Sequence, residues 1–210
     1  MLAKLRNLAY LIFSSCIGCG ANVGGLGAVP MIDPDNPDSI ERWENSSYNL
    51  DAAKVVVIKS KYFHGALGNG DPGPEKLVAL LVSGAQQTGP SPAQQAAIDA
   101  FVANGAEIKR LVRKAIYDYY ETVYPVYQEG IAMHVSGGDD VSEFLPPIKT
   151  GNELDAIVEI ATIYVHPEKK GTVSIGIEFY APWDVEHDLG VRITDGAVTD
   201  AGMADVAYPY

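Results

Sequence analysis

Hydrophobic and polar positions alternate in recognisable ways along most of the chain. Lys54 to Ser60 (K-V-V-V-I-K-S) is a β-branched run and predicts a strand. Asp71-Pro72-Gly73-Pro74 breaks the chain, and Leu77, Leu80 and Leu81 then fall on one face of a helix predicted from Glu75 to about Ser83. Ser91-Pro92-Ala93-Gln94 is a stronger start signal: Ser91 can cap, Pro92 suits the first helical position, and Gln94 stands where a capping-box partner would. Apolar residues then recur at three- and four-residue steps from Ala97 to Val123. They predict one long helix, or a pair broken at Asn104-Gly105, ending before Pro125. Asn152 can cap a single turn, E-L-D-A, and Ile157 to His166 is a strand rich in Ile, Val, Thr and Tyr. Thr172 to Tyr180 alternates strictly. Val191 to Thr194 and Ala197 to Thr199 flank Asp195-Gly196, the favoured hairpin turn. N-terminal strand, long central helix or helix pair, and C-terminal antiparallel meander together predict an α+β fold.

The first fifty residues read differently. Lys4 and Arg6 precede the apolar run Leu8 to Ile17 and then Gly18-Cys19-Gly20, the parts of a secretory signal peptide and too short to span a bilayer. Cys19 after Gly18, or Cys16 after Ser14-Ser15, also resembles the lipidated cysteine of bacterial lipoproteins. The expected organisation is a leader over 1–20, a flexible Gly- and Pro-rich tether over 21–45, and one α+β domain over 46–210. The expected location is exported or anchored to a membrane through a lipidated cysteine. A plain N-terminal helix in a cytoplasmic protein is the alternative. Trp43 and Tyr48 are expected to cover an edge of the core.

Composition narrows the function. The 210 residues are 47% hydrophobic and 20% charged with a net charge of −12, enough for a real core and too acidic for binding nucleic acid through its phosphates. Both cysteines lie in the leader, which excludes a disulfide scaffold and leaves no cysteine nucleophile for the domain. G-A-N-V-G-G-L-G lacks the G-K-[ST] ending of a phosphate loop, and no cofactor or metal centre is expected. The tyrosines Tyr117, Tyr119, Tyr120, Tyr124 and Tyr127 read as core and rim packing. Lys109, Arg110, Arg113 and Lys114 read as a solvated helix face, with an anion or acidic-partner patch as the alternative.

One short segment concentrates chemistry. Trp183-Asp184-Val185-Glu186-His187-Asp188 puts three carboxylates, an imidazole and an indole between two strands. Such a loop could hold a metal, or could hold His187 as a base oriented by a carboxylate. Its spacing matches neither the helical H-E-x-x-H nor the calcium loop. The plainer reading has Trp183 plugging the core, Asp184 or Asp188 capping the turn, and His187 bonded locally. Asp184, Glu186 and His187 remain weak catalytic candidates, and Trp183, Glu186, His187 and Asp188 are candidate binding residues. His64, His134 and His166 lie in separate segments.

The run from E-F-Y-A-P-W-D to G-M-A-D resembles the C-terminal signature of a bacterial family of small proteins of unknown function, W-D-x-E-H-G-L-G-V, then D-G-x-V and G-x-x-D. The matching positions are Trp183, Asp184, Glu186, His187, Leu189, Gly190 and Val191, then Gly196, Val198, Gly202 and Asp205. Asp188 stands where the family has Gly. With the S-P-A-Q-Q helix and D-Y-Y, the likeness covers roughly residues 50 to 205. It implies, by analogy with immunity-type proteins of toxin systems, a noncatalytic module whose acidic surface meets a basic protein. Residues 178 to 205 hold seven acids and one Arg, which suits that role. The competing reading is a metal- or His-assisted hydrolase centred on Asp184, Glu186 and His187.

Overall fold

The computed structural model describes residues 32–47, 49, 52–67, 72–134, 142, 145, 147–184 and 187–209. The expected leader, with Cys16 and Cys19, and Tyr48 and Glu186 lie outside the described residues. Among those described, no helix is long and apolar enough to cross a membrane.

The fold is α+β. Helix α1 (Pro37–Glu44) precedes strands β1 (Lys54–Ser60) and β2 (Lys76–Val82), then come helices α2 (Pro92–Ala103) and α3 (Gly105–His134), and then strands β3 (Glu159–Val165), β4 (Ser174–Tyr180), β5 (Leu189–Thr194) and β6 (Ala197–Met203). The six strands form one sheet in chain order, antiparallel except for β2 beside β3. That one parallel pair is what α2 and α3 exist to permit, since parallel neighbours need a long crossover.

The capping box forms as its spacing predicts: Gln94 N–H donates to Ser91 Oγ at 3.2 Å, and Ser91 N–H donates to Gln94 Oε1 at 3.0 Å. The helix pair breaks at Asn104. The Asp195-Gly196 turn has φ of 52° and 76°, the double positive pair of a type I′ hairpin.

Three expectations are corrected. The helix expected over Glu75 to Ser83 is strand β2. Its inner side chains Val78, Leu80 and Val82 join the main core and its outer Leu81 joins a second one, so both faces are buried and its apolar run is continuous. The long helix does not stop at Pro125 but continues to His134, with the proline inside it. A proline removes one helical hydrogen bond and kinks the helix without having to end it. Of the expected tether, residues 37–44 are helix α1, capped by Asn36 and fixed by buried Trp43.

The main core lies between the inner face of the sheet and the two long helices: Ile163, Ile177, Phe179 and Val191 from strands, Ile98, Phe101, Val112, Ile116 and Tyr120 from helices. On the outer face, Trp43 covers Val55 and Leu81 at the β1 end. At the opposite end a 3-10 turn, Ala204–Ala207, lies across β4 and β5. This close approach requires glycine. A Cβ on Gly176 would overlap the Ala207 carbonyl, and one on Gly190 would stand 2.6 Å from the Met203 oxygen. Buried His166 holds the same turn through Nε2, 2.8 Å from the Ala207 oxygen.

Gly176→Ala should therefore lower the unfolding free energy by about 2 kcal/mol or more, because it meets backbone that cannot move aside. Gly202→Ala, whose Cβ would meet only the Val206 side chain at 3.1 Å, should cost less than about 1 kcal/mol. Urea unfolding of the two variants checks the contrast.

Candidate functional site

The segment between β4 and β5 is fixed from its ends inward. Trp183 is buried and packs edge-on against Tyr120 of α3, ring centroids 4.7 Å apart. Asp184 follows it into the interior with 5% of its surface exposed. Both oxygens of its carboxylate are engaged: Oδ1 accepts the His187 backbone N–H at 3.1 Å and lies 2.9 Å from His187 Nδ1, while Oδ2 accepts the Tyr127 hydroxyl at 2.6 Å. The Asp184 carbonyl accepts Asp188 N–H at 3.0 Å, closing the turn. The His187 carbonyl then accepts Ala204 N–H at 3.2 Å, which ties the loop to the C-terminal 3-10 turn.

Asp188 sits at φ 53°, in the left-handed region. Asp is among the few side chains that tolerate it.

Tyr127 is the residue that sequence reasoning missed at this site. It lies beyond Pro125, where the helix was expected to have ended. The signal was present in the steps from Tyr120 to Tyr124 to Tyr127, which keep helical period across the proline. Burial, and next the hydrogen bond to Asp184, push the Tyr127 phenol well above its ordinary value. Tyr119 is raised too, first by burial and then by the fields of Asp184 and Asp205.

Chemically, an aspartate accepting from His Nδ1 fixes the imidazole tautomer and leaves Nε2 as its basic atom. His187 is half exposed, with 53% of its side chain open. A base alone is not a catalytic centre. Among the described residues no hydroxyl or thiol bonds to His187, and no group of three His, Cys, Asp or Glu residues is placed to hold a metal ion. Of the other histidines, His166 holds the C-terminal turn and His64 lies in the β1–β2 connection. The backbone of His134 ends α3.

A second cluster of polar groups stands on the outer face of the sheet. Glu178 accepts the Tyr164 hydroxyl at 2.9 Å and the Tyr208 hydroxyl at 3.2 Å, and the two rings meet edge to face at 5.6 Å. Tyr208 is 40% exposed. Its phenol is pushed up to about 12, by burial first and then by Glu178, with Asp188 and Asp205 adding to the effect. These acids, from β4, the loop and the 3-10 turn, thus share one electrostatic neighbourhood.

The helix face Lys109 to Lys114 divides. Arg110 and Lys114 are exposed and pair with Glu107 and Asp118. Lys109 and Arg113 point inward, contrary to the solvated face expected for all four. Arg113 forms a bidentate pair with buried Asp155, both bonds 2.8 Å.

An α+β protein with a mostly antiparallel sheet and a histidine–carboxylate turn is the class these features define. The chain belongs to the family described as domain of unknown function DUF6985, whose model matches residues 71–208. Comparison with curated proteins and with solved structures matches none of them.

Tyr127→Phe leaves a buried carboxylate oxygen without its donor and should cost about 1–3 kcal/mol. His187→Ala removes a half-exposed partner and should cost less, about 1 kcal/mol or below. Chemical denaturation of both variants orders the two bonds.

Proposed function

We propose that the chain is a noncatalytic protein-interaction module, of the immunity-protein kind by analogy, whose acidic outer face receives a basic protein. The observation that carries this reading is the half-exposed Tyr208 among Glu178, Asp188 and Asp205. An aromatic ring beside carboxylates suits a lysine or arginine side chain, which gains both a charge partner and a ring face. Asp200 on β6 is also exposed and extends the acidity along the sheet edge. The state of Asp184 points the same way, because a carboxylate with both oxygens engaged inside the fold is already used. The competing reading, a metal- or His-assisted hydrolase centred on Asp184, Glu186 and His187, rests on the Asp184–His187 pair.

The test compares the unsubstituted chain with a variant carrying Asp200→Asn, Asp205→Asn and Tyr208→Ala, each immobilised against extract of its source cells. The expected result is one retained basic protein, released as salt rises from about 50 to about 500 mM because exposed charges are screened. The triple variant should lose it and His187→Ala should keep it. Retention indifferent to the triple variant, or an acidic retained protein, overturns the reading. Stoichiometric metal in the purified protein, lost in His187→Ala, would favour the hydrolase.

The leader's composition supports placing this module outside the cytoplasm, exported or held at a membrane through Cys19 or Cys16. Palmitate labelling in a bacterial host should report it, with incorporation abolished by replacing one of the two cysteines. No label on the unsubstituted chain sinks lipidation.

A further inference from the structure

The two edges of the sheet are finished differently. At β1, helix α1 packs against the strand, and Glu44 at its end accepts the Val55 N–H at 2.8 Å. At β6, among the described residues, no further strand pairs with the outer side. All seven residues of β6 keep surface in solvent, whereas β5 beside it is mostly buried.

Alternate residues of an antiparallel edge turn their N–H and C=O away from the one neighbouring strand. Such groups are a template for another chain, and edges are commonly closed to it by Lys, Pro or a bulge. Ala197 to Met203 (A-V-T-D-A-G-M) holds neither Lys nor Pro. Its one irregular step, beside Arg192, leaves Asp200 to Met203 in regular register with β5.

The side chains of this edge define what fits it. Val198 and Ala201 pack on the core but are only partly buried, so apolar side chains on the inner side of an added strand would extend that packing. Asp200 is exposed and paired with Arg192, whose guanidinium donates to the Val206 and Tyr208 carbonyls. Asp195 in the hairpin turn and Asp205 beyond the strand are exposed too. Residues 195–210 contain no Lys or Arg, and the undescribed residues of the chain hold only Lys4 and Arg6. Lys169 and Lys170 lie beyond β5, in the β3–β4 turn. A second copy would bring the same acids to the seam, and like charges across a strand pair are destabilising. A basic strand gains where that copy loses.

We propose that β6 receives an extended basic segment of the partner protein as a seventh strand, with apolar residues inward and Lys or Arg outward beside Asp200. This rests on the acidic-face reading above, which supplies the sign of the partner. It adds the means of attachment: main-chain bonds give affinity, and the alternating side chains select the sequence.

NMR titration of the isotope-labelled full chain at low salt, with three six-residue peptides, tests the edge. The peptides are Val-Lys-Val-Lys-Val-Lys, the same sequence with every backbone nitrogen methylated, and Val-Glu-Val-Glu-Val-Glu. The first should shift the β6 amide resonances and slow their hydrogen exchange. The methylated peptide keeps the charge but cannot donate to the edge, and should bind at least about tenfold more weakly. Asp200→Lys should weaken binding of the basic peptide and strengthen that of the acidic one, each by about fivefold. Asp99→Lys, the same charge change on an exposed position of α2, should alter neither. Equal binding of the methylated peptide overturns strand addition and leaves the acidic-face reading standing. Binding of the acidic peptide to the unsubstituted chain as tightly as the basic one overturns both. β6 amides already protected without peptide, in a chain that sediments as a dimer, give the edge to a second copy and overturn the proposal. No response of β6 to the basic peptide overturns it as well. If Asp200→Lys does not fold, the three titrations of the unsubstituted chain decide alone.

Discussion

The buried carboxylate of Asp184 joins parts of the chain that are far apart in sequence. It receives a phenol from the last turns of α3, an imidazole and an amide from its own loop, and through that loop it positions the backbone that meets the C-terminal 3-10 turn. A carboxylate taken from water must find donors or be neutralised, so the requirement acts in both directions. It forces α3 to run past Pro125 far enough to deliver Tyr127. It also holds the β4–β5 connection in the left-handed turn at Asp188. From there the chain enters β5 in the register that places Gly190 under the returning turn.

The C-terminal turn depends in its own way on small residues. Gly176 and Gly190 leave a shallow track on the outer face, and backbone rather than side chain fills it. His166 and Gln94 extend the connection inward: His166 bonds the turn through its ring and offers its carbonyl to Gln94 Nε2 at 3.1 Å. Gln94 is the same residue that closes the capping box of α2. One side chain thus links the start of the helical layer to the sheet, and through His166 to the end of the domain.

What was legible in the sequence follows the range of the interactions involved. Ser91 with Gln94, and Asp195 with Gly196, act within four residues, and both were readable as written. The alternation from Thr172 to Tyr180 was equally plain because that strand has one inner and one outer face. Leu77 to Val82 was misread because a strand buried on both faces shows no period of two, and the break-and-leucine pattern imitates a helix. Lys109 and Arg113 were placed in solvent because nothing local marks them as buried: the partner of Arg113, Asp155, lies some forty residues away. In the candidate site, the turn-capping role of Asp184 was legible and its bond to Tyr127 was not.

The short helix α1 does more than cover one end of the sheet. Glu44 at its end takes the Val55 N–H at 2.8 Å and the Lys54 ammonium at 2.9 Å, occupying a donor of an edge strand that would otherwise be free. Both α1 and β1 precede the region shared with the family, which begins at residue 71. A fragment trimmed to that shared region would make β2 the edge, a strand apolar on both sides and with unpaired backbone groups, which is a template for aggregation. The unit of sequence similarity and the unit of colloidal stability therefore have different boundaries. The residues before 71 act as the guard that keeps the sheet from growing onto its neighbours.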